Sequence, residues 1–180
     1  KGYAPFNITN INGMLFVSYA LQDADKHDDV PGHGHGFVDV FDTSGKLLRR
    51  LIKHGRLNSP WGMVIAPPSF GEFAGALLVG NFGDGRITAY ELNAADSDED
   101  DTEDLGQLRG QNNKPIEIDG LWGLIVGNGK AGGDVLFGRV AQRANHRVAA
   151  VVGPEQRRHR LERTREEQIQ QQGFDQVVAV

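Results

Sequence analysis

The distribution of apolar and polar residues along the chain predicts β-strands. The clearest stretch is residues 59–92, SPWGMVIAPPSFGEFAGALLVGNFGDGRITAYEL, in which apolar runs at 61–66 and 75–80 precede an alternating run at 86–92. Alternation of polar and apolar residues is typical of a half-buried strand. The sequence NFGDG at residues 81–85 predicts a tight turn, because two glycines flank an aspartate. The whole stretch therefore predicts three antiparallel strands joined in a meander.

The same pattern continues on both sides of this stretch. Asn12-Gly13 predicts a hairpin turn, and a long polar insertion at residues 21–36 separates two apolar runs. The further predicted strands are residues 4–11, 14–20, 36–42, 47–52, 105–108, 118–127 and 134–138. We therefore predict an all-β fold built from short strands.

The order of these strands repeats along the chain. Ser59-Pro60-Trp61-Gly62 aligns with Gly120-Leu121-Trp122-Gly123, and Ala4-Pro5-Phe6 aligns with Ser59-Pro60-Trp61. Four short antiparallel strands in a repeat of ~40–60 residues are typical of a β-propeller blade. One such sheet cannot bury both of its faces, so neighbouring blades stack and cover them.

The repeat predicts a partial β-propeller of about three four-stranded blades. We place the blades at residues 1–55, 56–110 and 111–138, with the last one incomplete. An isolated arc of three blades would expose a blade face at each end. We therefore expect either more blades in a longer protein or self-association of an open propeller.

Composition narrows the class of protein. The 180 residues include 24 glycines, which favours many tight turns, and no cysteine, which excludes disulfides. The net charge of −5 argues against a general nucleic-acid-binding protein. No apolar run approaches the ~18 residues of a membrane span. The chain starts at Lys1 without Met or a signal peptide, so we expect an N-terminal portion to be missing.

The C-terminal residues 139–180 differ in composition from the rest. Residues 1–138 hold 11 Lys and Arg and 19 Asp and Glu, a net charge of −8, whereas residues 139–180 hold 8 Arg and 5 acidic residues, a net charge of +3. We predict an irregular or helical, solvated tail, because residues 156–172 have almost no apolar stripe. A Lys-free, Arg- and Gln-rich tail also suggests a frameshifted reading of a GC-rich gene, a hypothesis that sequencing of the locus would test.

Long strings within residues 2–137 resemble a family of bacterial NHL-like β-propeller proteins. The strings are GYAPFNI, SYALQDADKHDDVPGHGHGFVDVFDTSGKLLRRL, LNSPWGMVIAPPSFGEFAGALLVGNFGDGRITAYE and IDGLWGL. Members of this family are usually secreted, and some carry PEP-CTERM sorting signals. The resemblance implies an extracytoplasmic protein of about twice this length, with no established activity to carry over, and it ends after Asp134.

The insertion at residues 21–36 has the densest chemistry in the sequence. Imidazole and carboxylate groups are ligands for Zn²⁺ or another transition ion, and oxygen ligands alone suit Ca²⁺. The candidate metal ligands are Asp25, His27, Asp28, His33 and His35. The spacing matches no strong metal motif, and a solvated loop explains the same composition.

Four other residues are candidates for ligand binding. Trp61 and Trp122 occupy equivalent repeat positions, which predicts packing between blades or an aromatic lining for a sugar or hydrophobic ligand near the central channel. Asn81 and Asp84 either shape their turn through hydrogen bonds or, in the case of Asn81, reach a central metal ion. The acidic run at 96–104 predicts a solvated loop or weak Ca²⁺ association.

Two classes of function remain open from the sequence. We favour a secreted propeller that acts as a binding or interaction module for a small molecule, a glycan or a protein. The alternative is a metal-assisted hydrolase or lactonase-like propeller enzyme that uses the His/Asp insertion and Asn81. A Ser-His-Asp mechanism has no support, because no GxSxG motif occurs.

Overall fold

The fold is all-β, as the sequence predicts. The computed structural model describes residues 2–92, 102–110, 112–129, 133–140, 147–152 and 176–179. The strands are β1 (Tyr3–Ile11), β2 (Met14–Leu21), β3 (Gly36–Phe41), β4 (Leu47–Lys53), β5 (Pro60–Ile65), β6 (Leu77–Asn81), β7 (Ile87–Tyr90), β8 (Asp104–Gln107), β9 (Leu121–Gly129), β10 (Gly133–Val140), β11 (Arg147–Val152) and β12 (Gln176–Ala179). A 3₁₀ turn at Gly71–Phe73 is the one helical segment within these ranges.

The strands form three four-stranded sheets, each built from consecutive strands. Sheet 1 has the order β1-β2-β3-β4 and sheet 2 the order β5-β6-β7-β8, and both are antiparallel throughout. Sheet 3 has the order β9-β10-β11-β12, and its last pair is parallel. Short turns join β1 to β2 and β3 to β4, as antiparallel neighbours allow, whereas longer connections join β2 to β3 and β7 to β8.

The tail contains strands where an irregular or helical segment is expected. Strands β11 and β12 both belong to residues 139–180, and β10 extends into this region. The polar helix expected at residues 156–172 lies outside the described part of the chain. Most of the acidic run, residues 96–101, lies outside it as well.

The turns that the sequence predicts are confirmed. Asn12 and Gly13 both have positive φ values, 52° and 82°, which suits a two-residue hairpin between β1 and β2. In the turn after β6, the Gly85 amide donates to the Asn81 carbonyl at 2.9 Å. Gly85 has a φ of 70° and packs against the Ile118 backbone, so a side chain there has neither the conformation nor the space it needs.

Two apolar cores hold the three sheets together. The first lies between sheets 1 and 2, and the second between sheets 2 and 3. The first core contains Ile11, Phe16, Val38, Val40, Leu51, Ile52, Leu57, Met63, Leu77, Val79 and Tyr90. The second contains Ala66, Phe70, Phe73, Ala76, Leu78, Ile87, Ala89, Leu108, Ile116, Ile118 and Leu121.

Strand β6 contributes to both cores and is buried along its whole length. Leu77 and Val79 face sheet 1, whereas Leu78 faces sheet 3. Successive side chains of a strand point to opposite faces, so a continuous apolar run is what a strand covered on both sides requires. Sheet 2 is therefore the middle layer of the stack.

The backbones of sheets 2 and 3 approach each other closely at Gly62. A Cβ atom at this position would lie 2.8 Å from the Leu124 amide nitrogen and 3.0 Å from the Trp122 carbonyl oxygen. These neighbours are backbone atoms, which cannot move without shifting β9. Glycine at position 62 thus permits the close packing of β5 on β9.

We predict that Leu77→Ala and Leu78→Ala each lower the free energy of unfolding by about 2–5 kcal/mol. Both side chains are fully buried, one on each face of β6, and truncation leaves a cavity. Urea unfolding followed by circular dichroism measures the effect. Leu48→Ala, at an exposed position, is the control and changes stability by roughly 0.5 kcal/mol or less. Loss of stability in only one of the two variants would contradict a middle sheet buried on both faces.

Candidate functional site

Four aromatic side chains from the three sheets form a continuous cluster, which we call the aromatic row. Its members are Phe6 on β1, Trp61 on β5, Trp122 on β9 and Phe82 in the turn after β6. The Phe6 and Trp61 ring centroids lie 4.6 Å apart, and so do those of Trp61 and Trp122. Phe82 lies 6.2 Å from Phe6 and 5.8 Å from Trp122. The Trp pair predicted at equivalent repeat positions is therefore in direct contact.

A β-bulge places each of the three strand residues in this row. The pairing register shifts between Pro5 and Asn7 in β1, and between Pro60 and Gly62 in β5. In β9 the paired residues on either side of the shift are Leu121 and Gly123. Phe6, Trp61 and Trp122 are thus the extra, unpaired residue of their bulge. A bulge redirects the side chain it carries away from the regular alternation of the strand.

The aromatic row is only partly buried. Trp122 is 39% exposed, and Phe6, Trp61 and Phe82 are half-buried. The Asn7 side-chain amide donates to the Trp61 carbonyl at 2.7 Å and ties β1 to β5 beside the row. Rings in contact on a supported backbone lose little entropy on binding, and the exposed parts of these rings offer apolar area to a ligand.

Sequence reasoning identified the two tryptophans but missed Phe6 and Phe82. The alignment of Ala4-Pro5-Phe6 with Ser59-Pro60-Trp61 contains the signal for Phe6, because the aromatic residues fall in the same column. Phe82 lies in the turn after β6. The hydrogen bond from its amide to the Ser59 carbonyl, at 3.0 Å, places it beside the start of β5. No local sequence signal marks that contact.

Asn81 anchors the segment that connects sheets 1 and 2. Its side chain is fully buried; Oδ1 accepts a hydrogen bond from the Asn58 amide at 3.1 Å, and Nδ2 donates to the Arg56 carbonyl at 2.8 Å. Both amide atoms are therefore committed to backbone partners. Asp84 shapes its own turn, where Oδ1 accepts a hydrogen bond from the Arg86 amide at 3.1 Å.

The polar insertion at residues 21–36 is tied to the same connecting segment. The Asn58 side-chain oxygen accepts a hydrogen bond from the Gly32 amide at 2.7 Å, and the Gly34 amide donates to the Leu57 carbonyl at 2.8 Å. His54 Nδ1 lies 2.8 Å from the Gly34 carbonyl oxygen. The end of the insertion therefore packs beside the junction of sheets 1 and 2.

The five candidate metal ligands of the insertion have different surroundings. His35 Nδ1 lies 2.8 Å from the Val30 carbonyl oxygen, and His35 is half-buried. The side chains of Asp25, His27, Asp28 and His33 are exposed. Within the described ranges, no group of three or more His, Asp or Glu side chains is arranged to hold a metal ion. The Zn²⁺ or Ca²⁺ hypothesis thus continues to rest on composition.

Two tyrosines and one aspartate are among the groups whose pKa is shifted for identifiable reasons. Burial between sheets 1 and 2, with the Asp104 carboxylate as a second cause, raises the pKa of Tyr90. Burial and then the charge of Asp39 raise the pKa of Tyr19. The Ser44 hydroxyl and then the Lys46 amide hydrogen-bond to Asp42 and lower its pKa, in the turn between β3 and β4. Both tyrosines are therefore neutral phenols near pH 7.

Comparison with known proteins finds relatives but no function. The chain is similar to the uncharacterized proteins R648 and L690 of Acanthamoeba polyphaga mimivirus, with 38% and 37% identity over 123 residues. These alignments cover 68% of the chain but only 29% and 31% of the two relatives. A third mimivirus protein, R640, is 32% identical over 91 residues, which is 50% of the chain and 17% of that relative.

The chain thus spans less than a third of the length of each of these relatives. No family model matches the sequence, and no solved structure matches it. Within the described residues, no helix has the length and apolar character needed to cross a bilayer.

We predict that Asn81→Ala lowers the free energy of unfolding by about 1–3 kcal/mol, because it leaves the buried Asn58 amide and Arg56 carbonyl without their partner. Asn81→Asp retains an acceptor but loses the donor, and is also destabilised. Asn112→Ala is the matched control, since Asn112 is exposed and its side-chain oxygen accepts the Lys114 amide in its own turn. Unfolding in urea measures all three variants, and an unchanged midpoint for Asn81→Ala would refute the anchoring role.

Proposed function

We propose that this chain is a ligand-binding module in which the aromatic row is the contact surface. In this proposal the scaffold is a β-propeller, each four-stranded sheet is an NHL-like blade, and the chain is part of a secreted protein. Consecutive four-stranded meanders that stack face to face support the architecture. The resemblance of residues 2–137 to secreted bacterial NHL-like proteins supports the location.

The observation that carries the proposal is the threefold recurrence of the aromatic bulge. Phe6, Trp61 and Trp122 are each the unpaired residue of a bulge in the first strand of a sheet. A bulge costs ladder hydrogen bonds, and bulges are over-represented next to functional sites. Trp122 remains 39% exposed, so its ring is accessible to a ligand.

The row suits a ligand that is larger than one ring and has flat apolar faces. The ring centroids of Phe6, Trp61 and Trp122 follow one another at 4.6 Å intervals. A glycan chain stacks successive sugar faces on such a surface, and a protein partner inserts apolar side chains against it. Among small-molecule, glycan and protein ligands, a glycan makes the most direct use of several accessible rings in contact.

A binding role fits the described residues better than the hydrolase alternative. In that alternative Asn81 would present its side-chain oxygen to a metal ion in a central channel. Its oxygen instead accepts the Asn58 amide proton, and its nitrogen donates to the Arg56 carbonyl. Asn81 therefore serves the connection between sheets 1 and 2.

We expect soluble oligosaccharides to change the intrinsic tryptophan fluorescence of the protein. The probes are cellohexaose, maltohexaose and chitohexaose, titrated separately. For the oligosaccharide that binds, Trp122→Ala is expected to raise Kd at least about tenfold, or about 1.4 kcal/mol, because it removes the most exposed ring of the row. Trp61 remains as the reporter in this variant.

Leu105→Ala is the control for this experiment. Leu105 is exposed on the edge strand β8 and lies outside the aromatic row, so its truncation should leave Kd unchanged. Equal affinity of Trp122→Ala and the unmodified protein would remove the row from the binding surface. A flat fluorescence signal with all three probes would exclude glycans of these types.

A further inference from the structure

One face of sheet 1 has no sheet packed on it within the described residues. Register pairing places Ile8, Val17, Asp39 and Arg50 in one row on this face. The neighbouring rows contain Tyr19 with Phe37, and Leu15 with Phe41 and Leu47. Directly opposite residues of antiparallel strands share a face. We call these residues the outer face of sheet 1; none of them belongs to either core.

This outer face is apolar and exposes large side chains. Ile8 is 60% exposed and Leu47 is 52% exposed. The Tyr19 and Phe37 rings are stacked, with centroids 4.4 Å apart and an interplanar angle of 19°. A broad apolar face of this kind on a sheet marks an interaction surface.

Asp39 and Arg50 neutralise each other on this face, which also carries the exposed Lys53 opposite Phe37. Arg50 donates two hydrogen bonds to the Asp39 carboxylate, at 2.8 Å and 3.1 Å, and its guanidinium carbon lies 3.8 Å from the centroid of the Phe37 ring. The guanidinium group thus covers both a carboxylate and an aromatic ring. A partner for this face therefore needs apolar surface and no counter-charge to the Asp39–Arg50 pair.

Equivalent positions in the three sheets indicate what covers such a face. The residue two positions after the bulged aromatic is Ile8 in β1, Met63 in β5 and Leu124 in β9. Met63 is buried against sheet 1, and Leu124 packs into the core against sheet 2. Each of them contacts the preceding sheet, whereas no preceding sheet covers Ile8 within the described residues.

The residue three positions after the bulged aromatic faces the following sheet, and at the other end of the stack it is the one left exposed. This position is occupied by Thr9 in β1, Val64 in β5 and Ile125 in β9. Val64 packs into the core that faces sheet 3, but Ile125 is 63% exposed. We call the side of sheet 3 that carries Ile125 the outer face of sheet 3. The outer face of sheet 1 therefore corresponds to the faces that Met63 and Leu124 occupy inside the stack. The outer face of sheet 3 corresponds to the face that Val64 occupies, and these are the two kinds of face that pack together between neighbouring sheets.

We propose that copies of this chain associate head to tail, with the outer face of sheet 1 of one copy packed on the outer face of sheet 3 of the next. The contact repeats the geometry by which sheet 1 packs on sheet 2 and sheet 2 on sheet 3. It joins two different surfaces and is heterologous, so it generates either a closed ring or an open chain of copies. It does not depend on the aromatic row binding a ligand.

The first test is the mass of the 180-residue chain as a function of concentration. We expect light scattering coupled to size-exclusion chromatography to give at least twice the monomer mass at high concentration, either as one species or as a ladder. Ile8→Glu and Ile125→Glu each bury a charge in the contact and are expected to raise the apparent Kd at least about tenfold. Both positions are exposed in the single chain, so the variants should fold, and near-ultraviolet circular dichroism checks this.

Leu105→Glu is the matched control, because Leu105 is an exposed leucine on the edge of the middle sheet. It should associate as the unmodified chain does. A monomer at all concentrations overturns the proposal and assigns the outer face of sheet 1 to another occupant, such as a further sheet of a longer polypeptide or an unrelated protein. Equal weakening by Leu105→Glu also overturns it.

The second test separates head-to-tail packing from face-to-face packing. The chain has no cysteine, so Ile8→Cys and Ile125→Cys each introduce a single thiol. With a short bismaleimide, a mixture of the two variants should give a crosslinked dimer that contains one copy of each, and each variant alone should give several-fold less dimer. Efficient crosslinking of Ile8→Cys alone would show an isologous contact between two sheet 1 faces and overturn the proposal.

Discussion

A four-stranded sheet has two faces, and both are buried only when it has a neighbour on each side. The rest of this structure depends on that constraint. Sheet 2 meets it, and its inner strand β6 accordingly begins with the apolar run Leu77-Leu78-Val79-Gly80 and has no exposed residue. Gly62 is required because β5 and β9 approach until their backbones touch. In the part of the chain that the structure describes, sheets 1 and 3 meet the constraint on one face only, which explains why Ile8 and Ile125 are exposed.

The connection between sheets 1 and 2 adds a polar counterpart to the apolar stacking. Asn81 reaches across to the backbone of Arg56 and Asn58, and the Asn58 side chain continues the hydrogen-bond chain to Gly32. The segment, the turn after β6 and the polar insertion are thus held as one unit. The same turn places Phe82 in the aromatic row. The shape of the candidate site therefore depends on this unit being held in place, and the ring contacts of Phe82 in turn help to hold the unit.

Much of the fold follows from local sequence, whereas the candidate site follows only in part. Alternation and glycine-containing turns identify the strands, because side-chain direction and positive φ are local properties. The bulge at Phe6 depends on the register with β2, and the partners of Asn81 are more than 20 residues away along the chain. The histidines of the insertion illustrate the same limit, since His35 turns toward the Val30 carbonyl and composition alone does not reveal this.

The bulges have a consequence for how such a surface changes during evolution. In a regular strand, inserting or deleting one residue exchanges the buried and exposed faces of everything beyond it. Phe6, Trp61 and Trp122 stand on residues that are already outside the paired ladder. In the proposed binding role, replacing such a side chain alters what the surface recognises while the inward-facing positions on either side keep their places. The proposed recognition and the folding of the strand are thereby assigned to separate residues, and each can vary under its own selection.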